Sequence, residues 1–124
     1  AYVVFISFPP AAERFSVHRV MPIVTVRRSP KVGKKWQATF NVDGRVRHVN
    51  FGSKGYSDYT MHKAAARMLR YLTRHRSRES WGPNGRYTAG FWSRWFLWSK
   101  PSLEGARLAT QRALGSGWRV QLRA

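Results

Sequence analysis

Between residues 36 and 51 apolar and polar side chains alternate with period two, and this is the clearest pattern in the chain. Trp36, Ala38, Phe40 and Val42 share one phase, and Val49 and Phe51 answer after Asp43-Gly44. An Asp-Gly pair between two alternating runs predicts a type I′ hairpin, whose two central residues both need positive φ. Pairing around that turn sets Trp36 opposite Phe51, Ala38 opposite Val49 and Phe40 opposite Arg47. One face is then mainly apolar, and the other carries Gln37, Thr39, Asn41, His48 and Asn50. A slip of one residue would mix the two faces, so the pattern specifies its own register.

The flanking segments follow other rules. Residues 1–34 hold no long helical period. Residues 20–26 are β-branched and apolar and read as a short strand within an extended arm, interrupted by Arg27-Arg28-Ser29-Pro30-Lys31. After the loop Gly52-Ser53-Lys54-Gly55, Ser57 or Asp58 is placed to cap a helix over residues 59–75. At 100° per residue, Met61, Ala65, Met68 and Leu72 form an inner stripe. Lys63, Arg67, Arg70 and Arg74 lie nearly opposite, and Arg78 continues that row if the helix persists. Turn residues around Trp81-Gly82-Pro83-Asn84-Gly85 mark a loop. Residues 91–98 form a short aromatic helix with Phe91, Trp95 and Trp98 on one side, stopped by Pro101. Ser102 caps a last helix, with Glu104 in its first turn and Leu103, Ala106, Thr110 and Leu114 facing inward until Gly115 and Gly117. The segment from Trp118 to Arg123 alternates and reads as an edge strand or a second arm.

These elements predict an α+β fold: an antiparallel β-hairpin or small three-stranded sheet packed on two or three helices, with an extended basic N-terminal arm. Residues 1–34 are the arm, 35–114 the compact domain and 115–124 a C-terminal tail. With 43% hydrophobic residues, including six Trp, seven Phe and five Tyr, the chain can build a core. A disordered basic tail lacks such aromatics.

Charge changes the picture. The chain has 23 Lys and Arg against 5 Asp and Glu, a formal net charge of +18. Self-repulsion at that charge disfavours an isolated compact state and calls for an anionic partner, most commonly a phosphate polymer. Of the cations 17 are Arg, whose planar fork suits bidentate phosphate contact and stacking, although a GC-rich genome gives the same bias. The expected principal contact is Lys63, Arg67, Arg70, Arg74 and Arg78, and a second one is Arg27, Arg28, Lys31, Lys34 and Lys35. Lys54, with the amides of its loop, is a candidate for a single phosphate at the following helix start. Trp81, between Arg78 and Arg86, is the candidate for base stacking, while Trp36, Trp92, Trp95 and Trp98 are expected to pack.

Catalysis finds little support. Asp43, Asp58 and Glu104 have local structural roles, and Glu13 and Glu79 fall in separate loops, so no carboxylate pair is indicated. His18, His48, His62 and His75 lack metal-ligand spacing, and the absence of Cys removes disulfides and thiolate sites. The apolar run from Tyr2 to Phe8 is far below the about 20 residues of a membrane span. No cofactor, metal or small-molecule substrate is expected.

Several phrases resemble a family of small basic proteins of large nucleocytoplasmic DNA viruses and some protists. They are residues 49–60, His62-Lys63, Arg70-Tyr71, Arg74-His75 and Trp81, then residues 87–95 and residues 97–103. The resemblance spans about residues 35–114. It implies a compact, basic hairpin-plus-helices domain, carries over no catalytic residue and admits a virion component among the alternatives. The expected function is an rRNA-binding component of a ribosome or similar ribonucleoprotein, cytosolic or mitochondrial, with RNA favoured over DNA and neighbouring proteins as further partners. The alternatives are a virion protein that packs DNA or lines a capsid, and a structural subunit of a large protein or mitochondrial membrane complex.

Overall fold

The computed structural model describes residues 22–123 and has an α+β architecture. The strands are β1 Ile23–Arg28, β2 Lys34–Val42, β3 Arg45–Ser53 and β4 Arg119–Leu122. The helices are α1 Tyr59–His62, α2 Ala65–His75, α3 Ala89–Trp92 and α4 Leu103–Leu114. A π-helical turn, Ser93–Leu97, continues α3. Four strands form one sheet in the order β3-β2-β1-β4, antiparallel except for the parallel β1–β4 pair. The N-terminal arm expected over residues 1–34 lies outside the described residues up to residue 21, and its short strand is β1, in the interior of the sheet.

The hairpin has the expected register, with Trp36 opposite Phe51, Ala38 opposite Val49 and Phe40 opposite Arg47. Asp43 (φ 53) and Gly44 (φ 78) both take the positive φ that a type I′ turn demands. The tail residues that alternate after Trp118 become β4. Its partner is not the neighbouring hairpin but β1, almost a hundred residues earlier. Arg119 N–H donates to Pro22 O and Arg123 N–H to Val26 O, so the backbone of Val120 points outward. Helix α4 meets it: Val120 N–H donates to Gln111 Oε1 (2.9 Å) and Val120 O accepts from Arg107 Nη1 (3.1 Å).

One face of the sheet, made by Val24, Val26, Trp36, Ala38, Phe40, Val49, Phe51 and Val120, is buried against the helices. Trp92 and Phe96 fill its centre. Phe51 contacts Trp92 at 5.6 Å and Phe96 at 5.8 Å between ring centroids, and Trp36 meets Phe96 edge-on at 5.3 Å. Phe40 is ringed by Tyr87, Trp92 and Trp118. Edge-to-face geometry is what the ring quadrupoles favour. The aromatic segment does not present Phe91, Trp95 and Trp98 as a single inner row. Phe91, Trp92, Phe96 and Leu97 are buried instead, and Trp95 and Trp98 are half-buried. The wide turn closed by Trp98 N–H to Ser93 O adds a residue to the repeat and rotates the face that a regular helix would show.

The helix expected over residues 59–75 is two helices. Asp58 caps α1, which ends after one turn at Lys63, a residue in the left-handed region (φ 57). His62 Nδ1 accepts the Ala64 N–H (2.9 Å), and this stabilises the corner. The break also overturns the inner stripe Met61, Ala65, Met68 and Leu72. Met61 is 60% exposed, whereas Tyr71 is the buried residue of α2. Tyr71 stacks on Trp98 (4.4 Å) and on His75 (4.2 Å), while Ala65 is exposed and Met68 and Leu72 are half-buried. Helix α4 keeps its expected inner row of Ala106, Thr110 and Leu114, with Ser102 as cap.

The loop before α3 allows little extra volume. A β-carbon at Gly85 would stand 2.1 Å from the Ser80 carbonyl oxygen. Gly85→Ala is therefore expected to cost about 3 kcal/mol in urea unfolding, while Gly82→Ala, where open space surrounds the added methyl, stays within about 0.5 kcal/mol.

Candidate nucleic-acid interface

Arg67, Arg70 and Arg74 stand at i, i+3 and i+7 on one exposed face of α2, as their spacing predicts. Leu69 and Thr73 lie beside them. The row is shorter than expected. Lys63 sits in the corner between α1 and α2, and its ammonium donates to Pro101 O (2.6 Å) and Thr60 O (3.1 Å), which ties that corner to the loop before α4. Arg78 is exposed but lies beyond the end of α2.

The second expected group does not gather in one place. Arg28 lies over the Trp36 ring at 3.9 Å, on the helical side of the sheet. Arg27, one residue earlier, points to the opposite face, where its guanidinium donates to Gln37 Oε1 (3.3 Å). Alternation along a strand imposes that split. Lys31 is exposed in the β1–β2 connection and Lys34 is half-buried. Lys35 serves the fold: its ammonium meets Asp58 at 2.5 Å, with the two side chains 10% and 2% exposed.

Asp58 also answers the proposed phosphate site. Its carboxylate accepts the Thr60 N–H (3.0 Å) and the Thr60 hydroxyl, so the chain's own anion occupies the start of α1. Lys54 is exposed at the rim of a surface cavity of about 590 Å³ shared with Arg28, Ser29, Lys35, Tyr56 and Met61. Trp81 and Arg86 are likewise drawn inward. Trp81 is half-buried, donates to Glu79 Oε1 (3.0 Å) and packs near the Arg94 guanidinium. Arg86 lies by the rings of Tyr87 and Trp118, and its carbonyl accepts from Trp92 Nε1 (2.8 Å). Both side chains are half-buried.

Sequence reasoning missed the uncovered face of the sheet as a unit. Registered pairing aligns Arg27, Gln37 and Asn50 in one row and Gln121, Thr25, Thr39 and His48 in the next. Arg119, Ile23, Asn41 and Val46 lie beyond them. Among the described residues no helix packs here, and no acid lies on this face. The polar phase of the hairpin was visible in the sequence, but its extension across β1 and β4 depends on a long-range pairing.

Among the described residues no three His, Asp or Glu side chains converge as a metal site, and no helix is long and apolar enough to cross a membrane. Burial pushes the Tyr71 hydroxyl up to about 12, so it stays neutral in the stack. Burial, aided by the Arg67 charge and opposed by Asp58, lowers the His62 pKa below 6.5.

The chain is similar over residues 24–75 to the Family of unknown function (DUF5754). That segment runs from within β1 to the end of α2, so the match takes in the sheet strand that precedes the hairpin and stops before the aromatic segment. No curated protein and no solved structure matches the chain.

Asp58→Asn keeps an acceptor for the cap but leaves the Lys35 ammonium facing a neutral amide, which is expected to cost about 3 kcal/mol in urea unfolding. Asp58→Ala should lose about 1 kcal/mol more with the cap. For His62, the folded state prefers the neutral ring, since Nδ1 must accept from Ala64. Its contribution is full above pH 6.5 and is lost as pH falls through the lowered folded value. Melting temperature should therefore drop more between pH 7.5 and 5.5 for the wild type than for His62→Asn, whose side-chain oxygen remains an acceptor at both.

Proposed function

We propose that this chain is a non-enzymatic, structural nucleic-acid-binding protein, built into a ribonucleoprotein particle and holding RNA through its cationic side chains. The observation that carries this reading is where the acids are. Asp58 is bound to Lys35, Glu79 to His75 and Glu104 to Arg107, and Asp43 sits in the hairpin turn. Arg67, Arg70 and Arg74 make no ion pair with another described residue. Their charge is thus left for an external polyanion, at a net charge of +18. Arg is the side chain best shaped for phosphate, and release of condensed counterions drives such binding.

The fold supplies a stable platform for this role. Two of its cations, Lys35 and Arg107, are held in internal ion pairs and others lie on aromatic rings, while the arginines of α2 are exposed. Architectural neutralisation of RNA in a particle requires this rigidity and no reaction site. Neighbouring proteins of the same particle are the remaining partners in this reading.

Replacing Arg67, Arg70 and Arg74 with Gln tests it. Fluorescence anisotropy with structured RNA across a salt series should give a log–log slope shallower by about 2, since each lost phosphate contact removes about 0.7–0.9. The melting temperature should stay within 2–3 °C, about the shift of a surface change. Reversal of all three to Glu should abolish binding. An unchanged slope removes α2 from the interface. Tighter binding to duplex DNA than to structured RNA replaces the ribonucleoprotein reading with DNA packing.

A further inference from the structure

The sheet face on which no described helix packs has the chemistry of a recognition surface, with Gln37 buried at its centre and Arg27, Asn41, His48, Arg119 and Gln121 exposed around it. We propose that it is the surface on which the chain seats double-helical RNA, across the wide and shallow minor groove, with the ribose 2′-hydroxyls as the groups recognised. This rests on the nucleic-acid-binding reading above and specifies the form of its partner.

Apart from Arg27, the two central rows of the face are built of groups that both donate and accept hydrogen bonds, and the exposed apolar Ile23 and Val46 lie beyond them. Gln37 Nε2 donates to Asn50 Oδ1 (3.2 Å), the Ser29 hydroxyl meets the same oxygen (2.6 Å), and Thr39 Oγ1 meets His48 Nδ1 (2.9 Å). These contacts fix the orientation of the inner side chains before any partner arrives, which lowers the entropy lost on binding. Outside them, exposed His48 offers its second ring nitrogen, and Gln121 offers an exposed amide. A 2′-hydroxyl is itself donor and acceptor, so amides and imidazoles match it.

Three features select the partner. Apart from His48 no described residue of the face carries an aromatic ring, and recognition of unpaired bases depends on such platforms. Four strands at about 4.8 Å spacing span about 14 Å before side chains are added. That is broader than the about 12 Å major groove of DNA, which admits a helix or a two-stranded ribbon. The minor groove of an RNA helix is open and shallow enough for a sheet to lie on. Charge agrees: Arg27 and Arg119 stand on the face at different strand levels, and no acid among the described residues lies there to repel phosphate.

The test uses the whole chain and three labelled probes of one sequence: an RNA duplex of about 16 base pairs, the same duplex in DNA, and the single RNA strand. The RNA duplex should bind about tenfold more tightly than either of the others. His48→Ala with Gln121→Ala, both exposed and without a change in formal charge, should reduce RNA-duplex affinity about tenfold and leave DNA affinity within about twofold. Thr25→Ala, in the same row, should reduce the preference by a smaller factor and guards against misfolding of the double variant. A 2′-O-methyl RNA duplex should bind the wild type as weakly as the double variant binds unmodified RNA. Equal affinity for the two duplexes, preference for the single strand, or indifference to these substitutions overturns the sheet-face proposal while nucleic-acid binding stands. No binding of the wild type to any of the probes overturns both.

Discussion

The contact of Trp92 and Phe96 with the apolar face of the sheet is the interaction on which the rest of the structure depends. Both side chains are fully buried, and between them they touch the aromatic residues of β2 and β3. A short chain without disulfides must find its cohesion in apolar area, and rings give the most area per residue. Their placement has a local cause. A π-helical turn follows the single turn of α3 and delivers Phe96 and Leu97 to the sheet together with Phe91 and Trp92. Trp92 is anchored at its polar end by the Arg86 carbonyl, so the ring packs without an unpaired donor.

That core sets the electrostatics outside it. Several arginines lie over rings: Arg28 on Trp36, Arg47 on Tyr87, and Arg94 on Trp95 at 4.0 Å. Such cations are held in place by quadrupole attraction and cover apolar edges with their stems. The chain thus divides its positive charge into a structural part, held by rings and by the few acids, and an outward part on α2 and the uncovered sheet face. The division follows from scarcity, because four acids among the described residues cannot neutralise the rest.

Elements with short-range causes were legible in the sequence. Asp43-Gly44 specified both the turn and the register, since no other turn satisfies the alternation on each side. Ser102 and Asp58 were readable as caps because their oxygens serve amides two or three residues on. The helix break at Lys63 was not legible, as no proline or glycine marks it and the contacts that hold it reach Pro101. Nor was the parallel pairing of β4 with β1, which depends on the path of everything between. For the candidate site, the spacing of Arg67, Arg70 and Arg74 was sufficient to place the three on one exposed face of α2. The fates of Lys35, Arg86 and Trp81 were not, because a cationic or aromatic side chain does not announce in sequence whether its partner is internal. Asp58 lies 23 residues from Lys35, a distance at which composition is silent.

The outer border of β4 has a bearing on how copies of this chain behave when crowded. A terminal strand ordinarily offers a ladder of unused amides and carbonyls on which another chain can add. Here the side chains of Gln111 and Arg107 already occupy the outward groups of Val120. The opposite border, β3, carries Arg45 and Arg47, which repel the same border of a second copy. Both borders of the sheet therefore carry features that oppose the addition of a strand from a second copy.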